Sequence, residues 1–100
     1  MIALDASALL AFLFREEGHE RVAAEIGDCC LSAVNLAEGI GRFVRDGHDG
    51  RRVFEKIAAT TIELVPFGPA DAAGTAALLP HTRPLGLSLA DSACLVLAAS

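Results

Sequence analysis

No stretch of this 100-residue chain stays apolar for the roughly 18 to 20 residues that a membrane-spanning helix needs. The richest segment, ALLAFLF, is closed off by Arg15, Glu16 and Glu17. The amino terminus lacks the basic segment that opens a secretory signal and reads as a strand running into a helix, so a cytoplasmic protein with no membrane partner is expected. Cysteine is scarce: Cys29, Cys30 and Cys94 are odd in number and form no CxxC pair, which excludes a disulfide scaffold and leaves reduced, partly buried thiols. His19, His48 and His81 are scattered without HExxH or other zinc-ligand spacing. Neither GxGxxG nor GxxxxGKS/T occurs, so the common glycine-rich phosphate loops are absent.

What is present suffices for a core. A hydrophobic content of 53% and a mean hydropathy of +0.48 fit one globular domain over residues 1–100. The net charge of -5 argues against a protein that coats nucleic acid indiscriminately. Basic residues are nevertheless concentrated: Arg42, Arg45, Arg51, Arg52 and Lys56 fall in one short window with Asp46, Asp49 and Glu55. That window reads as a solvated helical hairpin laced with opposite charges or, less simply, as a face that contacts RNA phosphates.

Hydrophobic periodicity orders the chain. MIALD is a strand feeding the apolar helix ASALLAFLF, and EEGHERVAAEIG is a second helix stopped by Gly27. DCCLS is a second strand, and Ser32 then caps a helix whose apolar stripe is Ala33, Leu36, Ala37, Ile40, Phe43 and Val44. DGRRVFEKIAAT is a further helix and TIELVPF a third strand. Pro69 suits the first turn of a helix through ADAAGTAALL, PHTRPLG is a loop, and Ser88 opens the last helix. Strands alternating with helices imply a parallel sheet with helices on both faces, an α/β fold.

Three carboxylates stand out. Asp5 ends the first strand, where open parallel sheets place their ligands, and it is equally well placed to cap the helix after it. Glu38 falls opposite the apolar stripe of its helix, near Arg42 and Arg45, so the helical wheel favours an ion-paired surface residue. Asp91 sits in a helix apolar on nearly every side, which predicts burial and hence a partner or a metal. It also completes the S-x-x-D capping pattern with Ser88. If the three converge, an all-oxygen acid cluster suits Mg²⁺ or Mn²⁺ and points to phosphodiester hydrolysis. A receiver-type phosphoacceptor is a poorer fit, because the single lysine, Lys56, lies in a mid-chain helix and no second acid adjoins Asp5.

MIALDASALLAFLFREEG, LSAVNLAEGIGRF and PLGLSLADSACLVLA, in that order, resemble the PIN domain, most closely the VapC-type toxin ribonucleases of toxin-antitoxin pairs. The resemblance implies a three-layer α/β/α fold and a Mg²⁺- or Mn²⁺-dependent endoribonuclease. Asp5, Glu38 and Asp91 match its metal-holding acids, and Ser7 the small hydroxyl residue that shapes the site. It also implies a cognate antitoxin and a second copy of the chain as partners. Members of the family usually continue into a strand bearing another acid and a final helix. With Ser100 last, that strand and helix are expected to be missing, and the apolar surface left open should favour a homodimer. The competing expectation is a non-catalytic α/β interaction module, with Asp5 and Asp91 as helix caps and Glu38 as a surface charge.

Overall fold

A computed structural model of the chain describes residues 2–14 and 26–99. The helix expected over EEGHERVAAEIG lies mostly outside the described residues. Three strands, β1 (Ile2–Ala3), β2 (Cys29–Ser32) and β3 (Glu63–Val65), form a parallel sheet in the order β1-β2-β3. Ile2 and Ala3 pair with Cys29 and Cys30, while Cys30, Leu31 and Ser32 pair with Glu63, Leu64 and Val65. Leu4 prolongs the first ladder by donating its amide to the Cys30 carbonyl. Every residue of β2 is buried, as a central strand covered on both faces requires.

Five α-helices lie among the described residues: α1 (Ala6–Phe14), α2 (Ala33–Arg45), α3 (Gly50–Ala58), α4 (Pro69–Thr82) and α5 (Leu89–Ala99). They complete a three-layer α/β/α arrangement. Strand alternation divides β2 between two packing environments. Cys29 and Leu31 join Leu4, Leu9, Phe43, Val53, Ile57 and Ile62 in the main core, built with α1, α2 and α3. Leu9, Leu31 and Ile57 are fully buried there, each contributing about 1.5–3 kcal/mol relative to an exposed side chain. The second environment is made of smaller and more polar groups: Ala90, Ser92 and Ala93 of α5 are buried, as are Thr75 and Thr82 of α4. Helix α5 packs on α4, α2, β1 and β2.

Local rules fix most helix starts. Ser32 caps α2 by accepting the Val34 amide at 3.2 Å, Asp49 caps α3 through the Arg51 amide at 2.9 Å, and Pro69 occupies the first turn of α4. Three expectations are corrected. Only half of the expected stripe of α2 packs: Phe43 is buried and Leu36 and Ile40 lie against the core, whereas Ala33, Ala37 and Val44 are exposed and Asn35 and Gly39 are buried, with α2 so close to α1 that a β-carbon on Gly39 would lie 3.0 Å from Leu9 Cδ2. Helix α4 does not stop before Pro80 but runs to Thr82, whose buried hydroxyl accepts from Ser92 Oγ at 2.9 Å, a tertiary contact that outweighs the local proline signal. Gly86, in the left-handed region at φ 74°, then turns the chain toward α5. Finally, α5 is not buried all round. Leu89 and Leu95 are about half exposed, since its packing face is carried by small residues rather than by its leucines.

Candidate active site

Asp5 follows β1 directly and is the N-terminal cap of α1: its Oδ1 accepts the Ala8 amide at 2.7 Å. Ser7, in the first turn of the same helix, is exposed. Asp91 forms the expected reciprocal box with Ser88, accepting the Ser88 amide on Oδ2 at 2.8 Å while its own amide donates to Ser88 Oγ at 3.1 Å. These two acids, 86 positions apart in sequence, line one open pocket of about 190 Å³ together with Leu87, Cys94 and Leu95. The packing of α5 against β1 brings them together, and Cys94 Sγ lies 3.9 Å from the Ala3 carbonyl oxygen at that contact.

The Cys94 thiol registers both charges. Its pKa is raised, first by burial and then by Asp5 and Asp91, whose negative charges oppose a thiolate beside them. Among the described residues no cation pairs with either acid, and neither Asp5 Oδ2 nor Asp91 Oδ1 accepts a hydrogen bond. Each carboxylate therefore spends one oxygen on a helix terminus and leaves the other without a partner among the described residues.

Glu38 is not brought to this pocket. Its Oε1 lies 2.9 Å from Arg42 Nη2, one turn along α2, as the helical wheel indicates. The expected convergence of all three acids is thus reduced to a pair, and among the described residues no group of three histidine, cysteine or acidic side chains could hold a metal ion. The arginine window behaves mainly as the laced hairpin. Arg45 lies 3.9 Å from Asp46 and Arg51 3.7 Å from Glu55, leaving Arg52 and Lys56 without an ion pair among the described residues.

Two carboxylates with one spare oxygen each suit a cation that keeps most of its water, as Mg²⁺ does, and do not suit an ion that needs a full protein cage. Asp5 and Asp91 are the residues that would hold it. Sequence reasoning missed two neighbours of the site: Cys94, one turn beyond Asp91, and Asn35, a polar residue one turn before Glu38 in an otherwise apolar stretch. The spacing of Cys94 was visible in sequence; the burial of Asn35 was not.

Among the described residues no helix is long and apolar enough to cross a membrane. A comparison with curated proteins found none that matches the chain. The PIN domain family model matches residues 2–100, nearly the whole sequence, and its members are generally nucleases. With that match, a parallel three-stranded sheet covered on both faces and paired acids beside its first strand, the chain belongs to the PIN domain family.

Proposed function

We propose that this chain is a Mg²⁺- or Mn²⁺-dependent endoribonuclease and the toxin of a VapC-type toxin-antitoxin pair, working in the cytoplasm. The observation that carries the reading is the pair Asp5 and Asp91, lining one pocket in a PIN domain, with no cation beside either and one oxygen of each free of hydrogen bonds among the described residues. A divalent ion, when bound, supplies activation of water and neutralisation of charge on the phosphodiester. The chain supplies the rest. Asp5 and Asp91 would hold the ion from two helix termini, each carboxylate already fixed by a capping bond. Leu87 and Leu95 give the pocket apolar walls.

Glu38 serves this reading from a distance, because its carboxylate must leave Arg42 before it can approach the ion. Arg52 and Lys56, without an ion pair among the described residues, and Arg42, Arg45 and Arg51, each already offset by an acid, form the basic surface along α2 and α3 for the RNA backbone. Exposed Leu85, Leu89 and Leu95 offer apolar area for a second copy of the chain or for the antitoxin.

A second reading has an observation in its favour: both acids do cap helices, as in a non-catalytic module. RNA cleavage assayed with Mg²⁺, Mn²⁺ and EDTA separates the two. Cleavage that needs the ion and is lost in Asp91→Asn is expected. Cleavage indifferent to EDTA, or none with either ion, would leave the acids as caps alone.

A further inference from the structure

The peptide group joining Ala90 to Asp91 is pinned at both ends by side chains. Its N–H donates to Ser88 Oγ at 3.1 Å, which is the local half of the capping box. Its carbonyl oxygen accepts from Asn35 Nδ2 at 3.1 Å, a bond that crosses from α2 to α5 over 55 positions of sequence. Asn35 is 1% exposed, and its Oδ1 is buried without a partner. Turning the amide over would set that oxygen against the Ala90 carbonyl, so the orientation is fixed by the bond that is made. An apolar side chain would avoid leaving a buried acceptor unsatisfied. The asparagine keeps that acceptor buried for the sake of one interhelical bond, and that bond aims the peptide that carries Asp91.

Resting on the nuclease reading above, we infer that Asn35 is a positioning residue for the ion-binding pair: it sets the orientation of the first turn of α5 against α2, and through it the direction in which Asp91 faces Asp5. The remaining contacts of that turn do not replace it. Ser92 ties the turn to α4 through Thr82, fixing its distance from a different neighbour, and Ser88 acts only within its own chain segment. Asn35 provides the hydrogen bond from α2, whose packing against α1 links it to the helix that Asp5 caps. Buried partners of this kind, one step removed from the ion, are worth about 10–100-fold in affinity where a site depends on them.

The test measures Mn²⁺ binding by the full chain, from the loss of the free-ion paramagnetic resonance signal, alongside thermal unfolding. Asn35→Leu removes the bond and the orphaned oxygen together, and Asn35→Ala removes the bond and leaves space. Val53→Ala perturbs the main core on α3, away from the pocket. Both Asn35 variants are expected to bind Mn²⁺ at least about tenfold more weakly than the wild type. Val53→Ala should keep wild-type affinity despite a lower Tm, and Asn35→Leu should lose affinity without a matching loss of Tm. Unchanged affinity in the two Asn35 variants overturns the inference, as does a loss that merely follows Tm and appears equally in Val53→Ala. Failure of the wild type to bind Mn²⁺ overturns the nuclease reading itself and this inference with it. Should Asn35→Leu not fold, Asn35→Ala carries the same comparison.

Discussion

The acids of the α2–α3 hairpin and the acids of the β1–α5 pocket are used in opposite ways. In the hairpin, Glu38, Asp46 and Glu55 each lie beside an arginine no more than four residues away, and the charge is settled within the segment. In the pocket, Asp5 and Asp91 have no cation among the described residues and share a space with each other and with a thiol whose pKa they raise. Exposed pairs of the first kind contribute at most about 1 kcal/mol and complete themselves. A pair of the second kind has no such partner among the described residues. The contrast separates acids paired within their own helices from acids that meet only through the packing of α5 on β1.

That distinction is broken most directly by neutralising one acid on each side. Asp5→Asn should reduce Mg²⁺-dependent RNA cleavage by at least about 100-fold, since in the proposed reading it removes an oxygen that would hold the ion and not merely a supporting group. Glu38→Gln should cost less than about tenfold. Equal losses in a quantitative cleavage assay would show that Glu38 joins the pair in the working state, and the two regions would then be one.

The helix that links them offers a test of intermediate size. Gly39 lies against fully buried Leu9, so Gly39→Ala is expected to destabilise by about 1–3 kcal/mol despite the gain in helix propensity. Gly41, two positions on, faces open space, and Gly41→Ala should stabilise by roughly 0.5–1 kcal/mol. Denaturant unfolding of the two variants checks both signs. Equal effects would mean that α2 does not press on α1 as closely as drawn, and its role in relating Asp5 to Asp91 would weaken.

The smallest effect concerns pH. Burial raises the Cys30 and Cys94 pKa values, with Glu63 adding at Cys30, and Asp5 and Asp91 at Cys94. A raised thiol keeps its proton more tightly in the folded chain than in the unfolded one. Its contribution to stability is present below the ordinary value of 9.0 and is lost as pH rises through the folded-state value, because the unfolded chain ionises first. Tm should therefore fall as pH climbs above about 9, and the fall should be shallower in Cys94→Ala. An identical slope in wild type and variant would show that the two carboxylates do not bear on Cys94.

Much of this was readable in the sequence because it depends on near neighbours. Asp5 at a strand end, Ser88 and Asp91 as a capping box, Pro69 in a first turn and Glu38 beside Arg42 all follow from spacings of four residues or fewer. The errors arose where distant contacts set the outcome. Of the expected stripe of α2, Leu36, Ile40 and Phe43 pack on the core while Ala33, Ala37 and Val44 reach solvent, and Asn35 and Gly39 are buried instead, because close approach selects small size and a specific hydrogen bond over hydropathy. The apolar run of α5 suggested burial on all sides, but its leucines reach solvent while Ala90, Ser92 and Ala93 pack.

The sequence by itself determined which acids exist, which helices they begin and which arginines stand near them, since capping and one-turn pairing are short-range electrostatics. Only the tertiary structure decided that Asp5 and Asp91 share a pocket while Glu38 stays with Arg42. Residues 86 positions apart meet only when α5 docks on β1, and that docking is governed by the shape and hydrogen bonding of its packing face, Asn35 against the Ala90 carbonyl included. Periodicity records how much of a helix is apolar. It does not record which neighbour the helix meets or how closely.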